Sequence, residues 1–309
     1  MATPLRRRVV PPGPYDLRRS LRVLQRGPGD PAYRVAGGAV WRSSRTPAGA
    51  GTLRIRTDAA AGAIEAEAWG PGAEWLLEQL PALLGVEDEP EAFAPRHKVV
   101  ARAWLRNPGI RLVRTGLVLE SLIPSILEQK VTTDEAYRAW RLLLWRHGEP
   151  APGPAEGAPR LRVMPDPRGW ARIPSWEWHR AGVDAKRSDT AVRAARVAPR
   201  LEEAAAMDEA AASRRLQLVS GIGPWTAAET LQRVIGAPDA VTVGDLHLPR
   251  MVGYSLAGER DADDPRMLEL LEPYATQSQR HRATRYITLG GTMPPRREPK
   301  RQIWDIAAL

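Results

Sequence analysis

The spacing of apolar and polar positions changes character twice along the 309-residue chain. Residues 1–13 show no periodicity and read as an unstructured basic arm, and 15–24 form a short helix opened by Asp16. From 33 to 69 the period falls to two. Ala39-Val40-Trp41, Leu53-Arg54-Ile55-Arg56 and Ile64-Glu65-Ala66-Glu67 alternate small or apolar with polar side chains, and the stretches between them, 46–51 and 58–62, have turn composition. This pattern predicts a small antiparallel sheet of hairpins. Pro71-Gly72 then introduces an apolar helix over 73–84, stopped by Gly85. The segment 85–95, GVEDEPEAFAP, marks a boundary.

Beyond it the period is helical almost throughout. Helices are predicted over 117–130, with Pro124 as an irregularity, and from a cap at Thr132 or Thr133 to His147. Residues 148–160, GEPAPGPAEGAPR, read as a surface linker. Ser175 caps a short helix. Further helices follow over 186–197, 208–218, 227–235 (stopped by Gly236), from Leu246 onward, 264–271 and 276–289, the last ending at Gly290-Gly291. The expected fold class is α+β: an N-terminal domain with a small antiparallel sheet, followed by an all-α, two-lobed region. The expected boundaries are 1–93, 94–295 and a basic tail over 296–309.

The informative stretch is Leu216-Gln217-Leu218-Val219-Ser220-Gly221-Ile222-Gly223-Pro224-Trp225-Thr226. One helix ends, Gly-Ile-Gly makes a tight turn, and Pro224 stands at the first position of the next helix, where its missing N–H costs nothing. Glycines allow positive φ and leave the backbone bare. Amide N–H groups at a helix N-terminus then suit a phosphate held without side-chain charge. An ordinary helix–turn–helix corner fits the same residues.

Composition narrows the classes. Cys is absent, which excludes disulfides, Cys-based zinc sites and a Cys-ligated iron–sulfur cluster. No apolar run is long enough to span a membrane, and no secretory signal is visible, so the cytoplasm is the expected compartment, at the nucleoid if the source is bacterial. The formal net charge is +9, which suits a nucleic-acid partner or simply an Arg-rich composition. Most of the eleven Trp are expected in the core.

The hairpin, continued through Gly236-Ala237-Pro238-Asp239 to Val243-Gly244-Asp245-Leu246, resembles the helix–hairpin–helix (HhH-GPD) DNA glycosylase superfamily, and most closely its 3-methyladenine DNA glycosylase II branch. Ser125-Ile126-Leu127-Glu128-Gln129-Lys130-Val131-Thr132 resembles the helix that approaches the lesion, and the N-terminal sheet resembles that branch's extra β domain.

The resemblance implies a DNA glycosylase that flips a damaged base out of double-stranded DNA and cuts its N-glycosidic bond with Asp245. An alkylated purine is the expected substrate; a deaminated or oxidised base, or a non-catalytic hairpin DNA-binding protein, are the alternatives. Trp225 occupies the position where lyase members carry a Lys, which implies a monofunctional enzyme. It is expected as a wall of the base pocket, with Glu229 and Tyr286. Glu229 stands where an aromatic is usual, and is either a group that meets a base edge or a solvated side chain. Gly221, Gly223 and Thr226 are expected at the DNA, Gln129 or Lys130 in the gap left by the flipped nucleotide, and Arg280 and Arg282 at phosphates, with Arg111, Arg114 and the rest of the 280–285 cluster as lesser candidates. His247 is read as packing or a phosphate contact. The resemblance further implies a monovalent cation (Na+ or K+) on the carbonyls of Gln217, Val219 and Ile222, with no required cofactor, and a monomer.

Overall fold

The computed structural model describes residues 3–154 and 156–295; the basic tail over 296–309 lies outside them. The N-terminal sheet contains β1 (Leu5–Val9), β2 (Tyr33–Ala36), β3 (Ala39–Thr46), β4 (Gly49–Asp58) and β5 (Ala63–Trp69). All neighbours are antiparallel, in the order β1-β5-β4-β3-β2. The alternation works as expected. Val40, Leu53, Ile55, Ile64, Ala66 and Ala68 face a core shared with α1 (Leu17–Leu21), α2 (Ala73–Glu78) and α3 (Leu80–Leu83). The intervening positions carry charge, with Arg54 on Glu67 at 2.8 Å and Arg56 on Glu65 at 2.5 Å. Removing a side chain such as Leu53 or Ile55 from water stabilises this layer by about 1.5–3 kcal/mol each.

Two expectations fail here. The N-terminal arm is not unstructured: residues 5–9 pair with β5, which sets Arg6 opposite Glu67 and Arg8 opposite Glu65. Opposite-charge cross-strand pairs stabilise a strand that has almost no apolar alternation to reveal it. The helix over 73–84 is divided at Gln79, ahead of Pro81.

After α4 (Lys98–Arg106) come α5 (Val118–Leu127) and α6 (Thr133–His147). Thr132 caps α6 in a full capping box with Glu135. The 148–160 segment is pinned rather than free. Its start, β6 (Glu149–Pro150), pairs with β7 (Arg162–Val163), and Ala151 and Ala158 pack on the cluster around stacked Trp41 and Trp69. Then follow α7 (Pro167–Arg172), α8 (Ser175–Arg180), α9 (Ala185–Arg196), α10 (Ala198–Glu202), α11 (Glu209–Gln217) and α12 (Pro224–Val234). Ser175 starts α8 but does not cap it; Pro174 holds the cap position, without a side-chain bond. The last helices are α13 (Leu248–Ala257), α14 (Asp264–Ala275) and α15 (Arg280–Gly290). The final one begins four residues later than expected, because Ser278 adopts φ +53° and turns the chain.

The helices bury two separate cores. One joins α5 and α6 with α7–α12, and holds Trp140, Trp170 and Trp178 stacked at centroid distances of 6.3 and 5.7 Å. The other joins Phe93 and α4 to α13–α15. The sheet docks on the first through buried polar pairs. Arg42 meets Glu120, Arg26 meets Glu128 at 2.8 Å, and the Trp140 indole donates to Asp30 at 2.9 Å. Arg233 donates to the carbonyl of Val23 at 3.0 Å, which fixes α12 against the N-terminal layer. No described helix is long and apolar enough to cross a membrane.

Candidate active site

The hairpin forms as its residues require. Helix α11 stops at Gln217, and the turn is closed by Val219 N–H to Leu216 O at 3.2 Å and Ile222 N–H to Val219 O at 3.0 Å. Gly221 sits at φ +96°, and a Cβ there would lie 2.2 Å from the Thr190 hydroxyl, so both conformation and packing demand glycine. Gly223 is extended and caps α12, with Pro224 at the first helical position as expected. A Cβ at Gly223 would meet nothing within 4 Å; the space above it is open. The N–H groups of Ser220, Gly221 and Gly223 find no acceptor among the described residues.

Two side chains brace the turn directly. Arg193 donates to Ser220 O at 3.1 Å. Gln129 donates to Gly221 O at 2.9 Å and to the Thr226 hydroxyl at 2.8 Å. Arg187 donates to Leu127 O at 2.8 Å, which ends α5 and places Gln129. Thr226, expected at the DNA, is therefore buried as an internal partner of Gln129. Lys130, next along, is exposed in the left-handed region at φ +56°.

Asp245 stands on the loop between α12 and α13, half-buried. Its Oδ2 accepts from the Trp225 indole N–H at 3.2 Å, and its Oδ1 accepts from the N–H of His247 and of Leu248, both at 2.7 Å. The carboxylate thus docks on the first turn of α12, beside the hairpin. Trp225 is half-buried, held by the acid it was expected to accompany. His247 contributes its backbone, and its side chain is exposed.

One helical turn along α12, about 6 Å by the rise of an α-helix, a second carboxylate crosses to the same loop. Glu229 pairs with Arg233 at 2.8 Å and accepts from the Thr242 hydroxyl at 2.9 Å. It is neither solvated nor free: both oxygens have internal partners. Arg233 and Thr242 are the residues the sequence reading missed, although Glu229 and Arg233 stand at i,i+4, the spacing of a helix ion pair. Facing this pair from α15 is Arg285, half-buried and without a hydrogen-bond or ion-pair partner among the described residues. Burial, with the charge of Arg233, pushes its pKa down to about 10. One turn before it, His281 is buried; desolvation, and then the charges of Arg285, Arg233 and Arg282, hold its pKa well below the usual range.

Several expected DNA-facing residues serve the fold instead. Tyr286 is 1% exposed and stacks on Phe93 at 5.5 Å inside the second helical core, so it offers no ring face to a base. Arg282 is buried on Asp88 and Gln279. Arg280 grips Asp239 through Nε at 2.9 Å and Nη2 at 2.5 Å. Arg111 is buried on the carbonyls of Pro108 and Ile110, and Arg114 faces Glu87 at 3.5 Å. A long Arg stem buries well when its head finds acceptors, and helical spacing cannot say which Arg does so. The carbonyls of Gln217, Val219 and Ile222 line the turn; that of Val219 already accepts one hydrogen bond and keeps its second lone pair, and those of Gln217 and Ile222 receive none from the described residues.

No family model and no curated protein matches the chain. Among solved structures it is similar to a 3-methyladenine DNA glycosylase from Archaeoglobus fulgidus, at 18% identity and a TM-score of 0.73, covering 91% of this chain and 97% of that one. It is also similar to MBOgg1 in complex with a low-affinity DNA ligand, at 14% identity and TM-score 0.69, over 88% of this chain and 90% of that one. A Clostridium acetobutylicum 8-oxoguanine glycosylase/lyase bound to double-stranded DNA aligns at 11% identity and TM-score 0.69, with coverage of 88% and 90%. The chain therefore has the fold of these DNA glycosylases, over nearly its whole length.

Proposed function

We propose that this protein is a monofunctional DNA glycosylase of the helix–hairpin–helix type, acting as a monomer on duplex DNA with one modified base. The observation that carries the reading is the Asp245 carboxylate, held by the Trp225 indole N–H and two backbone amides one turn from a glycine hairpin with open N–H groups.

The amides of Ser220, Gly221 and Gly223 grip a backbone phosphate, which fixes the strand without reading its sequence. The carbonyls of Gln217, Val219 and Ile222 would hold a monovalent cation, which supplies positive charge toward that phosphate. The target nucleotide turns out of the stack, and Lys130, presented by the turn that Gln129 ties to the hairpin, fills the gap. Asp245 then faces the deoxyribose. As the C1′–N bond breaks, both its electrons go to the base, and the positive charge left on the sugar is stabilised by the carboxylate. A water oxygen bonds to C1′ and gives one proton to Asp245. Two classes of base suit this chemistry: cationic alkylated purines, which the resemblance implies, and neutral deaminated or oxidised bases.

The same contacts also describe a plain helix cap, since Oδ1 accepts the first amides of α13. Asp245→Asn separates the two, because Asn caps as well but carries no charge. Release of free base from duplexes with single lesions should vanish while thermal melting stays unchanged; unchanged release leaves only the cap. Strand nicking, or borohydride trapping of a covalent complex, would overturn the monofunctional assignment.

A further inference from the structure

The lining beside Asp245 is polarised. At the sugar end stands the Asp245 carboxylate, whose partners are the neutral N–H groups of an indole and two amides. One turn away along α12 the charge reverses. Glu229 is neutralised by Arg233 at 2.8 Å, with Thr242 on its other oxygen, and Arg285 adds a guanidinium that has no acceptor of its own among the described residues. Glu128 also acts on Arg233 but is met by Arg26 at 2.8 Å; with that pair cancelling, Glu229 against Arg233 and Arg285 leaves one net positive charge at this end. His281, buried one turn from Arg285 on the same helix, adds an imidazole without a side-chain hydrogen bond among the described residues. Tyr137 of α6 approaches Arg233 as well, and contributes a half-buried ring and hydroxyl without further charge.

A half-buried guanidinium without an acceptor is costly, and most such groups in folded proteins are paired. Arg285 carries up to five N–H donors, none of them spent on a described residue, and it acts on Glu229 and Arg233, which lie one to two turns along α12 from the Trp225 that holds Asp245. A cationic alkylated ring placed there would meet a like charge in a site of reduced dielectric. A neutral ring with a carbonyl oxygen would meet a matched donor. As its bond to the sugar breaks, such a base takes up negative charge, which a cationic base does not.

We propose, building on the glycosylase reading, that the excised base is a neutral lesion carrying a ring carbonyl, as in deaminated or oxidised purines, and that Arg285 binds that oxygen and stabilises the negative charge of the departing base. In the step, the C1′–N electrons pass to the base, whose carbonyl oxygen shares the charge with the Arg285 N–H groups. Water adds to C1′ and its proton goes to Asp245. The base anion takes a proton from solvent after release. Arg285 keeps its own proton throughout and acts as an electrostatic group.

The test uses the full-length chain and duplexes that each carry one hypoxanthine, 8-oxoguanine, uracil, 7-methylguanine or 3-methyladenine. Base release is followed under single-turnover conditions for wild type, Arg285→Gln, Arg285→Lys and Asp245→Asn. At least one carbonyl-bearing neutral base should leave ten-fold or more faster than either cationic base. Arg285→Gln should lower that rate ten-fold or more while leaving the cationic bases unchanged or faster, and Arg285→Lys should keep part of the preference. Faster release of a cationic base by wild type overturns the proposal, as does an equal loss on every substrate in Arg285→Gln. If Arg285→Gln does not fold, the wild-type ranking alone decides. Release of cationic bases alone, abolished by Asp245→Asn, would sink the lesion assignment and leave the glycosylase intact; release of no base at all sinks both.

Discussion

Two carboxylates tie α12 to the loop that follows it, one turn apart: Asp245, on the loop, at Trp225, and Glu229, on the helix, at Thr242; their surroundings differ in charge. Asp245 is held only by neutral N–H donors, from Trp225, His247 and Leu248. Its position is fixed while its charge is left uncancelled. Glu229 is held by the Arg233 cation and the Thr242 hydroxyl, so its charge is spent inside the protein. Electrostatic catalysis needs a fixed charge aimed at developing charge, in a site that does not rearrange during the reaction. Asp245 meets that requirement. Glu229 instead orients Arg233 and ties α12 to the 241–245 loop. In the proposed reading, the same chemical group is a reactive element at Asp245 and a strut at Glu229, according to what donates to it.

The sharpest break of this contrast is Asp245→Asn. Base release should fall by at least about 10²–10³-fold, the cost of losing one preorganised electrostatic group. Stability should move by only a few tenths of a kcal/mol, because Asn caps a helix as well as Asp does. Single-turnover release and chemical denaturation read the two effects separately. Glu229→Gln should show the reverse balance. It leaves Arg233 without its charged partner, for an expected loss of about 1–3 kcal/mol in denaturant unfolding, with a smaller fall in release. A larger fall in release than in Asp245→Asn would put the reactive charge on the wrong carboxylate.

Gly221→Ala tests the grip that places both. It forces a side chain into φ +96° and against Thr190, with about 1–2 kcal/mol of strain. Affinity for undamaged duplex should weaken, and its dependence on salt should flatten if a phosphate contact is lost; unchanged duplex affinity would remove the hairpin from the interface. The smallest expected effect concerns pH. His281 has a folded pKa below its unfolded one, chiefly through burial, so the neutral form is favoured in the native state. The stability this represents is complete above about pH 6.5, the pKa of an exposed histidine, and is lost as pH falls through the folded value. Melting temperatures measured between pH 7.5 and 5 should converge in His281→Gln relative to wild type.

Much of this was legible in the sequence, for reasons specific to each part. The hairpin could be read because glycine at φ > 0 and Pro at a first helical position are demands of local backbone geometry, visible in four residues. The sheet could be read because a half-buried strand alternates. Strand β1 could not, because its partners lie some sixty residues away, in the β5 register and in the Arg6–Glu67 ion pair at 3.0 Å. Helical spacing groups the arginines of α15 as contacts for phosphates. In the folded chain Arg280 is committed to Asp239, Arg282 to Asp88, and Arg285 alone is left without a partner among them.

Local rules thus determined on their own where the chain turns, most of the helices and that Asp245 stands on the connection after the helix that follows a glycine hairpin. Only the tertiary structure decided which charges are cancelled. A helical period states which side chains share a face, but pairing depends on what another segment brings within about 3 Å. That is why Trp225 on Asp245, Arg233 on Glu229 and the unpartnered Arg285 emerge only when α12, α15 and the intervening loop pack together.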